Sequence, residues 1–314
     1  MTDSVLITGT RGPKFNTISP FKNRRRNASF KSLVNAGLDS GLNVFLSRFD
    51  QLDLKRKIVS NAWTLNGDWR RIRNKKIKLV FYRGKNILSK KIGTKLNDSN
   101  ITMINHPELE NICDDKLLTP FLFPEIMQKS YLINNHYELL KVLKLITTNK
   151  IVLKPRFGSF GKDVIVIEKS KLRNGIVKDT IIQEFIDSTK GARSLGIKGA
   201  HDIRVISING KIDHCYVRTP PNGSLVANMA NGGSKFYVDS EDLPSSIQKN
   251  LSIIDRKLSD YTPRIYSADF IINEDKEAKL IELNSKPGTM FYENSVEIRE
   301  KFHKNILKAI KKAL

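Results

Sequence analysis

The 314-residue sequence predicts a mixed α/β chain whose later part reads as α+β, and three stretches carry that prediction. The chain opens with an apolar strand at Ser4 to Thr8, a helix at Asn27 to Ala36 with Phe30, Leu33 and Val34 on one face, and a second strand at Asn43 to Ser47. Strand, helix, strand is the opening of a small α/β domain with a largely parallel sheet. Further on, Asn209 and Gly210 separate two alternating strands, His201 to Ile208 and Lys211 to Val217. That dipeptide favours a type I′ hairpin turn. Last, Tyr266 to Asn273 and Ala278 to Leu283 read as two strands joined by a polar turn at Glu274 to Glu277.

Composition narrows the classes. No apolar run approaches the roughly 20 residues that a membrane span needs, so no membrane-spanning segment is expected. Met1 to Gly12 has no apolar signal core, which points to a cytoplasmic protein. Two cysteines, Cys113 and Cys215, suggest neither a disulfide scaffold nor a zinc site. The charge stands out, with 54 Lys and Arg against 32 Asp and Glu, a net of +22. Residues 1–100 hold 22 of the former and 6 of the latter, so this third of the chain carries +16. Runs at Arg24 to Arg26, Lys55 to Lys57 and Arg70 to Lys78 make a positive field suited to an anionic partner, or else a solvated lysine-rich surface.

In chain order, the loop Thr8 to Gly12 contains glycines but not the spacing of a dinucleotide fingerprint. Asn61 to Trp69 reads as an irregular aromatic segment, with Trp63 and Trp69 placed either in a core or for stacking on bases. Ile77 to Tyr82 is a strand that runs into a basic loop, Tyr82 to Lys85. Composition changes near Asn105 to Pro107, where a domain boundary is expected. Asn135 to Leu145 is an amphipathic helix. It precedes strands at Asn149 to Lys154 and Val164 to Glu168 joined by a glycine-rich turn. Gly158 and Gly161 would let backbone N–H groups approach an anion, and Lys154 adds a point charge. Ser295 to Leu314 reads as a helix with Ile298, Phe302, Ile306 and Ile310 on one face and lysines on the other, read either as lying on a membrane surface or, as is expected here, as closing the last domain's core.

In the hairpin at Tyr266 to Gly288, Asp269 sits across from Glu282 and Asn284. Three hard oxygen donors on adjacent strands suit Mg2+, which takes few carboxylates together with substrate phosphates. The same spacing also describes an ordinary hairpin with solvated acids.

Six stretches in order then carry a family resemblance: Lys116, the K-P-x-x-G-S-x-G-K stretch from Lys154, Q-E-F-I from Gln183, D-I-R from Asp202, N-x-x-x-G-G from Asn228, and D…E-x-N from Asp269. The set resembles the ATP-grasp superfamily of carboxylate–amine ligases. It is most similar to the spore-coat-associated ATP-grasp proteins and to the alpha-L-glutamate ligases that modify ribosomal proteins. The likeness is specific over residues 105–290 and general over residues 1–100. It implies an ATP-grasp fold with a basic pre-ATP-grasp domain at 1–106, a lid at 107–187 and a catalytic part with the metal site at 188–314.

The resemblance also implies roles. Lys116 and Lys154 would hold ATP phosphates, with Gly158, Ser159 and Gly161 in the loop over them. Glu184, Phe185 and Ile186 would meet the adenine edge, and Asp202 the ribose. Arg204 and Arg218 would sit by the transferred phosphoryl group, and Asn228 beside the metals. Asp269, Glu282 and Asn284 would ligate Mg2+, with Mn2+ as a substitute. The implied reaction activates a carboxylate as an acyl-phosphate, which an amine attacks to give an amide, ADP and phosphate. Given the basic front of the chain, the substrate is expected to be acidic. The alternative is a nucleic-acid- or polyanion-binding protein on a degenerate ATP-grasp scaffold, although no nucleic-acid motif supports it. Ser188 to Ala200 departs from the pattern as a basic, glycine-bearing insertion, read either as a surface loop or as a flap over the acceptor.

Overall fold

A computed structural model describes residues 3–9, 12–84, 99–158, 163–172, 178–221, 224–227, 232–289, 291 and 295–314. The strands are β1 Ser4–Gly9, β2 Asn43–Arg48, β3 Leu52–Asp53, β4 Ile58–Asn66, β5 Asp68–Lys76, β6 Leu79–Tyr82, β7 Thr102–Ile104, β8 Ser130–Ile133, β9 Lys150–Pro155, β10 Ile165–Glu168, β11 Thr180–Glu184, β12 Asp202–Ile208, β13 Lys211–Thr219, β14 Ser234–Val238, β15 Ile265–Ile272 and β16 Ala278–Asn284. The helices are α1 Arg24–Asp39, α2 Pro107–Asp114, α3 Leu118–Leu122, α4 His136–Leu145, α5 Ser245–Lys257 and α6 Val296–Ala313.

The chain divides into two units, one of residues 1–110, 260–265 and 286–314, the other of residues 111–259 and 266–285. In the first unit the sheet runs β3-β4-β2-β1-β6-β7, with β5 paired to β4. Its β1, β2, β6 and β7 are parallel, as the strand–helix–strand opening implies, while β3, β4 and β5 add an antiparallel flank. α1 starts three residues before the predicted helix because Asn23 caps it, its Oδ1 accepting from the Arg26 N–H at 2.9 Å.

The segment expected to be irregular is instead a hairpin of β4 and β5, turning at Gly67 with φ +72. Its strand periodicity is hidden because β5 sends only Ile72 to the core made by Leu6, Phe45, Val59 and Val80. Trp63 is a core residue whose Nε1 donates to the Lys14 carbonyl at 2.8 Å, and Trp69 is half-buried.

The C-terminal helix also departs from expectation. It packs on α1 within the first unit, with Ser32 Oγ 3.2 Å from His303 Nδ1. Its apolar stripe of Phe302, Ile306 and Ile310 is buried there, next to Gly37, where an added Cβ would lie 2.3 Å from Val44 Cγ2 and 3.5 Å from Leu307 Cδ2.

The second unit holds two sheets. The first, β10-β9-β11-β8, is antiparallel and encloses Ile133, Leu139, Val142, Ile151 and Ile182 with α4. α4 is capped reciprocally: Asn135 Oδ1 accepts from Glu138 N at 2.9 Å, and Glu138 Oε2 accepts from Asn134 N at 2.8 Å. The other sheet runs β14-β13-β12-β15-β16. Asn209 and Gly210 turn between β12 and β13 with φ of 49 and 79, both positive as a type I′ turn demands. The insertion at Ser188 to Ala200 folds back on itself, with Ala192 bridging Ile197 and both buried.

Candidate active site

The five-stranded sheet gathers the charged residues through strand alternation. Asp202 and Arg204 are two apart on β12, and Arg218 on β13 is the register partner of Asp202. On the far side of β12, β15 and β16 pair Asp269 with Glu282 and Ser267 with Asn284. Residues directly opposite share a face, so all four of these point the same way. A bulge follows Asp269 at Phe270, ending the regular ladder next to the carboxylate it aims.

The side chains close into a network. Arg204 binds Asp269 with both arms of its guanidinium, Nε donating to Oδ1 at 2.6 Å and Nη2 to Oδ2. Arg218 grips Asp202 in the same way, at 2.6 and 2.8 Å, and its Nη2 also donates to Asp269 Oδ2 at 2.7 Å. Asp269 is 1% exposed. A carboxylate taken that far from water costs several kcal/mol unless cations and hydrogen bonds answer it. Burial would raise the Asp269 pKa, but the two guanidinium groups more than offset it and hold the carboxyl below its usual range. Asp202 shares one arginine with Asp269. Burial pushes it up to about 7 against the pull of Arg218, and the Asp269 charge pushes the same way.

A second cluster lies against Glu282. Lys116, between α2 and α3, has its Nζ 3.3 Å from Glu282 Oε1 and donates to the Gly158 carbonyl at 2.6 Å. Lys154 on β9 is buried and donates to Gln183 Oε1 at 2.9 Å. Gln183 is held in turn by donating to Ser130 Oγ at 2.8 Å. Burial lowers the Lys154 amine to about 8, the Glu282 charge partly restoring it and Lys116 working against it. A lysine so placed makes the larger part of its electrostatic gain only when an anion arrives.

Of the other expected site residues, Glu184 ends β11 with its carboxylate accepting from both N and Oγ1 of Thr147, at 3.0 and 2.9 Å. Phe185 N donates to Thr148 Oγ1 at 3.4 Å, and Ile186 is buried. Among the described residues, no side-chain hydrogen bond or ion pair joins Glu184, Phe185 or Ile186 to the charged network. Ser159, Gly161 and Asn228 lie outside the described residues.

The donor set fits a hard divalent cation. Asp269 and Glu282 are paired carboxylates, and Asn284 beside them has a buried Nδ2 with no hydrogen-bond partner. Opposite Asn284, the Ser267 Oγ is likewise buried and unpartnered. Ser267 Oγ and the amide oxygen of Asn284, next to two carboxylates, are hard donors of the kind Mg2+ prefers, whereas the orphaned Nδ2 is a hydrogen-bond donor and no metal ligand.

The sequence reading passed over Ser267, although it lies two residues before Asp269 and so on its face. It also passed over Gln183 as the support of Lys154, and Asp115. The Asp115 carboxylate takes Arg156 at 2.9 and 2.6 Å, joining the start of the glycine loop to the segment that carries Lys116.

A family model described as the RimK-like ATP-grasp domain matches residues 122–310. The chain belongs to the RimK-like ATP-grasp family. That is a family of ATP-dependent ligases that form C–N bonds, as the ordered motifs imply. Among curated relatives, this RimK-like chain is 25% identical over 209 residues to the glutamate–LysW ligase ArgX of Sulfurisphaera tokodaii, covering 61% of this chain and 67% of ArgX. The other two curated relatives are matched over less than half of their length. Among solved structures, D-alanyl-alanine synthetase A from Vibrio cholerae aligns with a TM-score of 0.64 at 12% identity, over 99% of this chain and 98% of that one. The ATP-grasp ligase PsnB, complexed with a phosphomimetic variant of its minimal precursor, Mg and ADP, aligns at 0.58 and 12% identity, over 100% and 99% of the two chains. These structures share the ATP-grasp fold with this chain. No described helix is long and apolar enough to cross a membrane.

Proposed function

We propose that the chain joins an acidic carboxylate substrate to an amine through an acyl-phosphate, at the charged face of the five-stranded sheet. The observation that supports this reading best is the meeting of two lysines, two arginines and three acids within one unit: Lys116 and Lys154 beside Glu282, and Arg204 and Arg218 on Asp202 and Asp269. Phosphoryl transfer asks a protein for positioning and charge neutralisation more than for covalent chemistry. Lys154 and Lys116 would hold nucleotide phosphates under the loop at Gly158, Ser159 and Gly161, while Glu184 to Ile186 and Asp202 would face adenine and ribose. Arg204 and Arg218 would meet the migrating phosphoryl group, with Asn228 beside them. Asp269, Glu282 and Asn284 would hold Mg2+, which when bound supplies charge neutralisation at the phosphates. The substrate carboxylate attacks the γ-phosphorus as the bond to ADP breaks. The amine then attacks the acyl carbon, phosphate leaves, and the amine loses its proton. In this reading residues 107–187 form a lid over the nucleotide, the strands after residue 188 hold the metal, and the insertion at Ser188 to Ala200 is a flap over the acceptor.

The acidic substrate follows from the +16 carried by residues 1–100. Such a field raises encounter rates with an anion at low salt and fades as the Debye length falls from about 10 Å at 0.1 M to about 3 Å at 1 M. The test is ADP release with Mg2+ and paired acidic and neutral acceptors across ionic strength, in the wild type and with Arg24, Arg25 and Arg26 changed to Ser. A steeper salt dependence of kcat/KM for the acidic acceptors, flattened in the variant, is expected. Equal slopes refute the acidic assignment, and ADP release indifferent to any amine refutes the ligase reading.

A further inference from the structure

The hairpin of β4 and β5 brings together basic runs that stand apart in the sequence. β5 is nine residues long and, among the described residues, pairs with β4 alone, which leaves its outer edge open. Five of those nine residues are cationic: Arg70, Arg71, Arg73, Lys75 and Lys76, all exposed. Register sets Lys76 opposite Ile58 and Lys75 opposite Val59, directly beyond the basic turn at Lys55, Arg56 and Lys57. The only carboxylate on the strand, Asp68, is taken by Lys31 at 3.1 Å. Among the described residues, the side chains of Lys55, Arg70, Arg73, Lys75 and Lys76 have no ion-pair or hydrogen-bond partner, whereas Arg56 has Asp53 at 3.9 Å and Arg71 donates to the Phe15 carbonyl at 2.7 Å.

A charge or two is enough to keep an edge strand from pairing with another copy of itself. Five cations on one strand go beyond that requirement. Side chains two apart in a regular strand lie on the same face about 7 Å from each other, so Arg71 and Arg73 repel until an anion intervenes, and Lys75 and Lys76 follow just beyond Asn74, whose φ is +50. The edge also offers a row of backbone donors and acceptors along Asp68 to Arg73, before Asn74 turns to a φ of +50. Only Ile72 of the strand packs into the core, and Arg70, Arg73, Lys75 and Lys76 stand exposed where a partner could meet them.

We propose that the open edge of β5 docks an extended acidic peptide segment by strand addition. Main-chain hydrogen bonds set its register, and its carboxylates neutralise Arg70, Arg73, Lys75 and Lys76. A peptide uses both properties of the edge, its charge and its free backbone. A nucleic acid would use the charge alone, and the strand offers it one half-buried aromatic side chain, Trp69, for base stacking. The surface belongs to the first unit, whereas the residues assigned to the reaction belong to the second.

The experiment measures fluorescence anisotropy of a labelled peptide alternating glutamate with threonine, titrated with the full chain at low and high salt. The same titration uses a peptide N-methylated on alternate residues. A variant carrying Arg70→Glu, Arg73→Glu and Lys75→Glu leaves Ile72 in place and is checked for native circular dichroism. A milder Lys75→Gln, Lys76→Gln variant guards against loss of the fold. The expected result is salt-sensitive binding that weakens about tenfold or more both on charge reversal and on N-methylation, with a smaller loss in the milder variant. Absence of binding overturns the proposal. So does equal affinity for the N-methylated peptide, which removes strand addition, or tighter binding of a single-stranded oligonucleotide of the same charge. Each readout is binding without turnover, so it stands or falls separately from the reaction proposed above.

Discussion

Arg218 on β13 reaches past the intervening β12 to Asp269 on β15, its Nη2 2.7 Å from Oδ2, while the same nitrogen lies 2.8 Å from Asp202 Oδ2. One guanidinium thus fastens two buried carboxylates on different strands. Their mutual repulsion is tolerable only while it stays.

Arg218→Ala is therefore expected to act in two ways. Removing one partner of a buried ion pair typically costs about 3–5 kcal/mol, so urea unfolding should show a loss on that scale. In the assay, kcat should fall more than nucleotide affinity, because the arginine is assigned to the migrating phosphoryl charge alone. Arg218→Lys should rescue little of either, since a single ammonium lacks the fork that grips Asp202. Calorimetric ATP titration showing affinity and kcat falling together would reject the assignment.

How much of this was legible in the sequence depends on which force fixed each part. The hairpin around Asp269 and Glu282 was readable because its alternation and polar turn are local, whereas the pairing of the two acids depends on the bulge between Asp269 and Phe270, which shifts the turn's register by one residue and carries no signal in the sequence. The type I′ turn at Asn209 and Gly210 was readable because it too is local. Helix α1 was found, but its first turn was missed because three arginines hide it and only Asn23 marks it. β5 was unreadable as a strand because its cations obscure the period and its one core contact is Ile72. The destination of α6 was not legible at all. An amphipathic stripe says that a helix is buried on one side, and only tertiary packing decides that the neighbour is α1. At the site, residue types with obvious chemistry were found, while Gln183, Thr147 and Ser267, which support or flank them, carry no chemical signal in isolation.

Lys154 gives a pH signature with two opposite signs. Burial sets its amine at about 8, below the ordinary 10.5. Below that value it is charged and can hold phosphate, so ATP affinity should fall as pH rises above about 8. Between about 8 and 10.5 the unfolded chain binds the extra proton, so the stability of the nucleotide-free protein should rise with pH, by about 3 kcal/mol at most. Lys154→Ala should weaken ATP binding and turnover together and abolish both trends. Unchanged affinity in this variant, measured by calorimetry, removes Lys154 from the phosphate site.

Gly210 offers a check on the sheet independent of catalysis. Its φ is +79, and an added Cβ would lie 2.4 Å from Asp255 Oδ1. Gly210→Ala therefore combines left-handed strain with a steric push on Asp255, and a loss of about 1–3 kcal/mol in urea unfolding is expected. Gly67→Ala, at φ +72 with open space around it, carries the strain without the clash and should cost less. Equal losses at the two positions would show that the Asp255 contact yields freely.

Glu282→Gln tests the metal assignment. Glu282 pairs with Asp269 across the ladder, and its one ion pair among the described residues is with Lys116 at 3.3 Å. Its side chain is 28% exposed, so an amide of the same shape fits, but Lys116, 10% exposed, loses its carboxylate partner, and the fold should survive with a modest fall in melting temperature. Turnover should be abolished, because an amide oxygen carries no net charge. Losing one anionic ligand at phosphates undergoing transfer costs several kcal/mol of transition-state stabilisation. The direction of any residual Mg2+ dependence is informative as well. If Glu282 holds the metal, the variant should need far more Mg2+ to reach half its remaining rate. If Glu282 merely positions Lys116, the Mg2+ requirement should not move while ATP affinity changes. Near-wild-type ADP release at ordinary Mg2+ would take Glu282 out of the site altogether.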